Sequence, residues 1–248
     1  MTAFTTRPEL AGTFGGVAST HWIGSAIGMK VLEAGGNAFD AAVAVAFTLQ
    51  VVEPHLNGPA GDASILIARG GDREPTVVCG QGGAPAGATL EHFRALGLGQ
   101  IPGTGSLAPC VPGAFGAWLT LLRDWGTITL RDALAPAIHY AREGHPIHFN
   151  AVETIRTVED LFRTEWTTSA ALYLPGDRPP TPGDRFANPR LAQTYIDLSS
   201  TPSRPVPSAR RRSRRRCRIG TKALSPTRWR HSWTPRMSTT SAGVGIAG

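Results

Sequence analysis

The chain has 248 residues, of which 41% are hydrophobic and 17% are charged, which is typical of a globular protein and excludes a fibrous or wholly disordered one. Its formal net charge of +7 is the sum of two segments whose charges have opposite signs. Residues 1–198 hold 13 basic and 18 acidic residues, a net −5, whereas residues 199–248 hold 12 basic residues and no acidic one. Any argument for nucleic-acid binding therefore rests on the tail alone.

Cysteine usage and the apolar segments favour a cytoplasmic location. Cys79, Cys110 and Cys217 have neither disulfide-type nor zinc-type spacing, so a reducing compartment fits best and no metal is expected. The first 16 residues contain no apolar segment of the signal-peptide kind. The longest apolar run, residues 38–52, is too short to span a bilayer and predicts a buried helix instead.

Helix signals open the chain. Residues 23–34 keep apolar side chains at near-helical spacing, and Gly35-Gly36 supplies a stop. Asn37 is a suitable cap for the second helix, with Asp40 in its first turn, and Glu53-Pro54 ends it. A helix that is apolar on nearly every face must lie between layers.

Two β-rich runs and three further helices follow. Residues 64–69 and 76–79 flank the turn-forming GGDREP, which predicts a hairpin. A helix follows Pro112-Gly113 and ends before Gly126. Another begins at Thr129, is interrupted near Pro136 and stops at Gly144. The last periodic stretch, residues 152–162, predicts one more helix.

Several ordered blocks resemble the large chain of the γ-glutamyltransferase family. The resemblance extends over about residues 14–197, and its most specific parts are VLEAGGNAFDAAVA and VVEPHLNGPAGD. The blocks are Val31–Ala44, Val51–Asp62, Ala84–Phe93, Val111–Trp118, Leu134–Ile147 and Pro182–Tyr195.

This resemblance implies an α/β fold, the large-chain half of the four-layer αββα sandwich of N-terminal-nucleophile hydrolases. It implies a precursor that cleaves itself, so that a new N-terminal threonine of the small chain attacks a γ-glutamyl or related amide. The threonine's own amine serves as base, and the acyl group passes to water or to an amine. No cofactor is implied. The bottom-up pattern of helices beside a hairpin supports the half-fold but not the chemistry.

The sequence departs from the family in two places. Gln81, followed by Gly82, stands where glutathione-using members carry an arginine that holds the glutamyl α-carboxylate, which predicts an amidase or acylase of altered preference. The family's nucleophile block is absent, because no Thr-Thr pair is followed by the required histidine. We therefore expect a truncated, inactive large-chain portion. The pairs are Thr5-Thr6, Thr167-Thr168 and Thr239-Thr240.

A Gly-rich segment supplies further candidates for substrate binding. Glycines there permit close backbone approach, which a substrate site and a tightly packed turn need equally, so both interpretations stay open. The candidates are Glu53, Asn57, Gly58, Gly61 and Asp62.

Two other features have ordinary interpretations. His145 and His148 have no carboxylate or cysteine partner nearby in sequence, so packing or exposure is favoured over a metal. Cys110 is expected to be a small buried apolar residue.

The tail predicts disorder, because its Arg, Ser and Pro enrichment cannot bury enough apolar surface. A frameshift in a GC-rich gene is the favoured origin of residues 199–248. The alternatives are a basic-tailed nucleic-acid-binding protein on a relic scaffold, and an acylase large chain that needs a separate small chain. Incidental binding to anions is expected from Arg210, Arg211, Arg212, Arg214, Arg215 and Arg216.

Overall fold

The computed structural model describes residues 12–200. Its first two helices, α1 (Trp22–Glu33) and α2 (Ala38–Val52), pack against each other. Gly35 in the link between them has a φ of 90°, a left-handed conformation that favours glycine. The predicted stop and the predicted start of the second helix are therefore both confirmed.

A capping box begins α2. The Asn37 side chain accepts hydrogen bonds from the backbone N–H groups of Phe39 and Asp40, and an Asp40 carboxylate oxygen accepts one from the Asn37 N–H. The same carboxylate is fully buried and accepts three more hydrogen bonds, from the backbone N–H and hydroxyl of Thr127 and from the Ile128 N–H. Asp40 thereby ties the start of α2 to a loop 87 residues away.

Helix α2 lies at the centre of the larger hydrophobic core, as its apolar sequence predicts. It contacts α1, α4 (Ala114–Trp125) and α5 (Leu130–Glu143), and α9 (Pro189–Ser200) packs on α5. Tyr195 of α9 is fully buried, and its hydroxyl donates a 2.7 Å hydrogen bond to Oε1 of Gln50. Burial raises the pKa of the Tyr195 hydroxyl, so it stays a donor.

The predicted hairpin is present. Strands β1 (Ser64–Ile67) and β2 (Thr76–Cys79) pair antiparallel, with Ser64 opposite Cys79. Ile65, Ile67 and Val78 point into the core, whereas Leu66 and Val77 face outward and are 69% and 55% exposed. The alternation follows from the two-residue period of a strand.

A second, smaller hydrophobic cluster forms after α5. The two-residue strands β3 (His145–Pro146) and β4 (Arg185–Phe186) pair antiparallel beside it. The short helices α6 (Phe149–Thr157), α7 (Glu159–Thr164) and α8 (Thr167–Tyr173) supply most of its side chains. The remaining element, α3 (Leu90–Ala95), follows the hairpin along the chain. The sequence analysis did not predict α3, α8, α9 or the β3–β4 pair.

Two predicted helices were wrong in detail. Helix α5 runs through Pro136 without interruption. The capping box of Thr129 and Asp132 stabilises its first turn, and its buried alanines pack in the larger core. Residues 152–162 are not one helix, since α6 and α7 are separated at Val158. With that break, Phe162 joins Ile155 in the smaller cluster.

The predicted boundary after Leu198 falls inside α9, which continues to Ser200. The disorder predicted for the tail concerns residues that lie outside the described range of 12–200, and it stays a prediction. Within that range no helix combines the length and the hydrophobicity needed to cross a bilayer.

Candidate substrate groove

An open groove of about 550 Å³ runs along α2, between the segment of residues 16–20 and the loop of residues 57–62. Small apolar side chains of α2, such as Ala41 and Val45, form much of its lining, and Trp118 of α4 contributes an aromatic side chain. The apolar lining is typical of sites that bind small organic molecules, in which a few polar groups set the orientation.

Three of the predicted substrate-binding residues line this groove together: Asn57, Gly58 and Asp62. Asp62 is exposed, and Asn57 is half-buried. The loop closes on itself, because the Gly58 carbonyl accepts a hydrogen bond from the Gly61 N–H at 3.1 Å. The structure therefore places an amide and a carboxylate on the same side of the groove.

Glu53 does not line the groove, but it forms a hydrogen bond with a residue that does. It is buried, with 3% exposure, and its carboxylate accepts a hydrogen bond from the hydroxyl of Thr20, which does line the groove. Its backbone carbonyl also accepts hydrogen bonds from the N–H groups of Leu56 and Asn57. Glu53 therefore joins the 16–20 segment to the start of the loop, 33 residues later in the sequence.

Gly61 has a structural position outside the lining. Its carbonyl accepts hydrogen bonds from the N–H groups of Gly113 and Ala114, at 3.2 and 3.0 Å, at the start of α4. Because the first N–H groups of a helix have no partner within the helix, the Gly61 carbonyl satisfies donors that would otherwise be unpaired.

Gln81 and Gly82 do not line the groove, and they come shortly after β2 in the chain. Gly80 and Ala63 exchange two backbone hydrogen bonds, which places Gln81 and Asp62 just beyond the same pair. Gln81 is exposed. Gly82 lies against the Val111 backbone so closely that a Cβ added there would come within 1.5 Å of the Val111 carbonyl oxygen.

Close backbone contact therefore explains the glycine at position 82. The same crossing involves Gly113, where an added Cβ would be 2.0 Å from the Gly80 carbonyl oxygen. Such distances exclude any side chain unless the backbone moves. The crossing fixes where the segment that carries Gln81 lies relative to the groove.

The charged side chains at the groove are acidic. Among the described residues, none of those that line it is an arginine or a lysine. The groove instead carries the Asp62 carboxylate, with Glu53 behind Thr20. This arrangement disfavours an anionic group and favours a neutral or cationic one.

The sequence analysis missed Thr20, Gln50 and Trp118 as lining residues. Gln50 is 3% exposed and its side chain is held by Tyr195, so its amide is fixed in direction. A Gln in an otherwise apolar helix was the one available signal, since a buried amide needs a partner. Nothing local in the sequence pairs Thr20 with Glu53.

The remaining candidates have structural positions. Cys110 is exposed, so the prediction that it is buried was wrong: it lies in an irregular segment whose neighbours contact Gly82 and Gly83 through the backbone. His145 is buried and His148 begins α6 as its N-cap. In residues 12–200 no group of three or more histidine, cysteine or acidic side chains is arranged to hold a metal ion.

Helices that cover a short antiparallel hairpin, with a groove beside it, define the described residues as a layered α/β fold. The solved structure of LmbA2991HD has this fold, with a TM-score of 0.76 and 59% identity over 79% of this chain and 34% of that one. The family model of gamma-glutamyltranspeptidase matches residues 24–206. The chain belongs to the γ-glutamyltranspeptidase family.

Two curated relatives show the range of this family. The glutathione hydrolase-like YwrD proenzyme of Bacillus subtilis is 34% identical over 187 residues, which cover 75% of this chain and 35% of that protein. The acylase ACY 1 proenzyme of a Pseudomonas species is 36% identical over 192 residues, 73% of this chain and 34% of that protein. The chain thus spans about a third of the length of these relatives.

Proposed function

We propose that this chain forms the substrate-side part of an amide hydrolase or acyl transferase. We further propose that its groove binds the acyl group of the substrate without an arginine or lysine side chain that would pair with a carboxylate on that group. Family membership and relatives named for glutathione hydrolysis and for acylase activity support the reaction class. The proposed substrate preference rests on the lining of the groove. Asp62 and Asn57 line it, and none of the described lining residues is an arginine or a lysine.

The nucleophile has to come from another segment, because none of the Thr-Thr pairs of the 248 residues has the block that the resemblance requires. We propose a second chain that carries an N-terminal threonine, whose hydroxyl attacks the amide carbonyl while its amine takes the proton. The outer face of the β1–β2 hairpin, with Leu66 and Val77 exposed, offers an apolar surface for that chain.

The experiment coexpresses this chain with a nucleophile-bearing small chain and measures two anilides with the same leaving group. γ-Glutamyl-p-nitroanilide carries an α-amine and an α-carboxylate, whereas butyryl-p-nitroanilide carries neither. We expect kcat/KM to be at least about tenfold higher for the butyryl substrate, equivalent to about 1.4 kcal/mol. A preference for the γ-glutamyl substrate would contradict the proposed specificity, and turnover by this chain alone would contradict the need for a second chain.

Gln81 provides a sharper form of the same test. We expect Gln81→Arg to raise kcat/KM for the γ-glutamyl substrate by about tenfold relative to the butyryl substrate, because a guanidinium can bind a carboxylate with two hydrogen bonds. Gln81→Met is the matched control, since it removes the amide without adding a charge. Equal effects of the two substitutions on the substrate ratio would show that position 81 does not contact the acyl group.

We also propose that the arginine run in residues 210–216 binds polyanions only incidentally. The run has six arginines and no acidic neighbour within residues 199–248, and contacts of this kind weaken steeply as salt rises. Deletion of residues 201–248 should abolish retention on heparin without changing the amide-hydrolysis rates of the two-chain enzyme. A loss of that activity on deletion would assign the tail a functional role.

A further inference from the structure

Four histidines and one carboxylate meet where the two hydrophobic clusters adjoin. His21 precedes α1, Glu53 and His55 follow α2, His145 lies in β3, and His148 precedes α6. The ring centroids of His21 and His148 are 5.8 Å apart, and those of His55 and His148 are 6.4 Å apart. We call these five residues the histidine junction. The hydrogen bond between Thr20 and Glu53 connects the histidine junction to the groove.

Two of these histidines cap helices in a way that requires the neutral ring. Nδ1 of His21 accepts a hydrogen bond from the Ile23 N–H, and Nδ1 of His148 accepts one from the Asn150 N–H, both at 3.2 Å. An imidazolium has no free lone pair, so protonation replaces each acceptor with a donor that faces another donor. The added positive charge also opposes the positive N-terminal end of the helix dipole.

The junction contains little negative charge to compensate for protonation. Glu53 is its carboxylate, and that group is 3% exposed and already bonded to Thr20. His145 is 2% exposed, and neither of its ring nitrogens has a hydrogen-bond partner among the described residues. From the neighbouring elements, the Tyr140 carbonyl of α5 is near His145, and Arg185 of β4 pairs with the adjacent Pro146. Protonation of a second or third histidine in the junction would therefore place its positive charge near other positive charges.

Burial lowers the pKa of three histidines of the junction. Burial lowers the pKa of His21 and of His55 below 6.5, with Glu53 opposing the shift and His148 adding to it. Burial lowers the pKa of His145 to about 4, while the Tyr140 carbonyl opposes the shift. Because the unfolded chain binds these protons near pH 6.5, stability is complete above that pH and is lost as pH falls toward the folded-state values.

We propose that the histidine junction is an acid-sensitive latch, in which protonation of His21 releases the cap of α1 and frees the Thr20 side of the groove. This inference rests on the contacts of residues 20–23, 53–55 and 145–150 and is independent of the reaction that the groove serves. It assigns to a buried histidine a coupling between pH and the shape of the groove wall.

The test uses the full chain and substitutes asparagine, which accepts a hydrogen bond at an N-cap but does not titrate. Between pH 7.5 and pH 5.0 we expect the melting temperature of the unmodified chain to fall by at least about 4 °C. His21→Asn should remove at least about 2 °C of that fall. His139→Asn, at an exposed position of α5, is the matched control and should leave the fall unchanged.

Two further measurements keep the proposal falsifiable if the His21 variant does not fold. Nitrogen-15 shifts of the histidine rings at pH 7.5 should show Nδ1 of His21 and of His148 without a proton. After correction for intrinsic exchange at each pH, amide protection at the start of α1 should fall between pH 7.5 and pH 5.0 by more than protection in α4. A protonated Nδ1 of His21 at pH 7.5, or an acid response that His21→Asn and His139→Asn leave equally intact, would overturn the latch.

Discussion

Single residues fix the groove through contacts that leave no room for a side chain. Gly82 and Gly113 lie where the segment after β2 crosses the segment before α4, and each would bring a Cβ against a carbonyl oxygen. Gly113 has a φ of −118°, so its requirement for glycine comes from space and not from backbone conformation. Three residues later, Gly116 has no heavy atom within 4 Å of an added Cβ.

This pair gives a matched prediction. Gly113→Ala should lower the free energy of unfolding by about 2 kcal/mol, because the backbone must shift to accommodate the methyl group. Gly116→Ala should raise it by up to about 1 kcal/mol, since alanine is favoured over glycine inside a helix. Urea titration of both variants measures the difference. Equal stabilities would show that the crossing is looser than the distances indicate.

Among the elements, α2 has the best anchored start. Its capping aspartate, Asp40, serves the helix and also the loop before α5, and it is fully buried. Asp132 occupies the corresponding position in the capping box of α5, but it is exposed and its hydrogen bonds are local to Thr129. Two boxes with similar sequence signals thus differ in what they hold together.

We expect Asp40→Ala to lower the free energy of unfolding by about 3 kcal/mol, because it leaves buried donors at Thr127 and Ile128 without an acceptor. Asp132→Ala should cost about 1 kcal/mol, the usual loss for an exposed helix cap. Chemical denaturation compares the two. A loss of similar size in both variants would mean that the long-range bonds of Asp40 contribute little.

For the whole molecule, the most informative surface is the outer face of the β1–β2 hairpin. Its inward residues belong to the larger core, whereas Leu66 and Val77 are exposed side by side on the opposite face. A strand with apolar residues on both faces is typical of a sheet covered on both sides. This supports the proposal that a second chain covers the hairpin.

Leu66→Asp should therefore leave the melting temperature of this chain within about 2 °C and weaken its association with the small chain at least about tenfold. Leu96→Asp is the matched control: Leu96 is 51% exposed and is the C-cap residue of α3. Copurification and a titrated binding curve measure the effect. Unchanged affinity with Leu66→Asp would move the interface elsewhere.

Sequence alone determined the features that depend on neighbouring residues. The Asn37 and Thr129 caps, the stop at Gly35 and the turn between β1 and β2 involve groups within a few positions, so their residue types identify them. The blocks that resemble the family could also be recognised in the sequence, and the match of the gamma-glutamyltranspeptidase family model to residues 24–206 confirms the family.

The tertiary structure decided which distant groups meet. Thr20 and Glu53 are 33 residues apart, Gln50 and Tyr195 are 145 apart, and no local pattern pairs them. Burial in the core also carried α5 through Pro136, and close backbone contacts required glycine at position 82. These outcomes depend on packing between elements, where space, exclusion of water and satisfied hydrogen bonds outweigh the preferences of single residues.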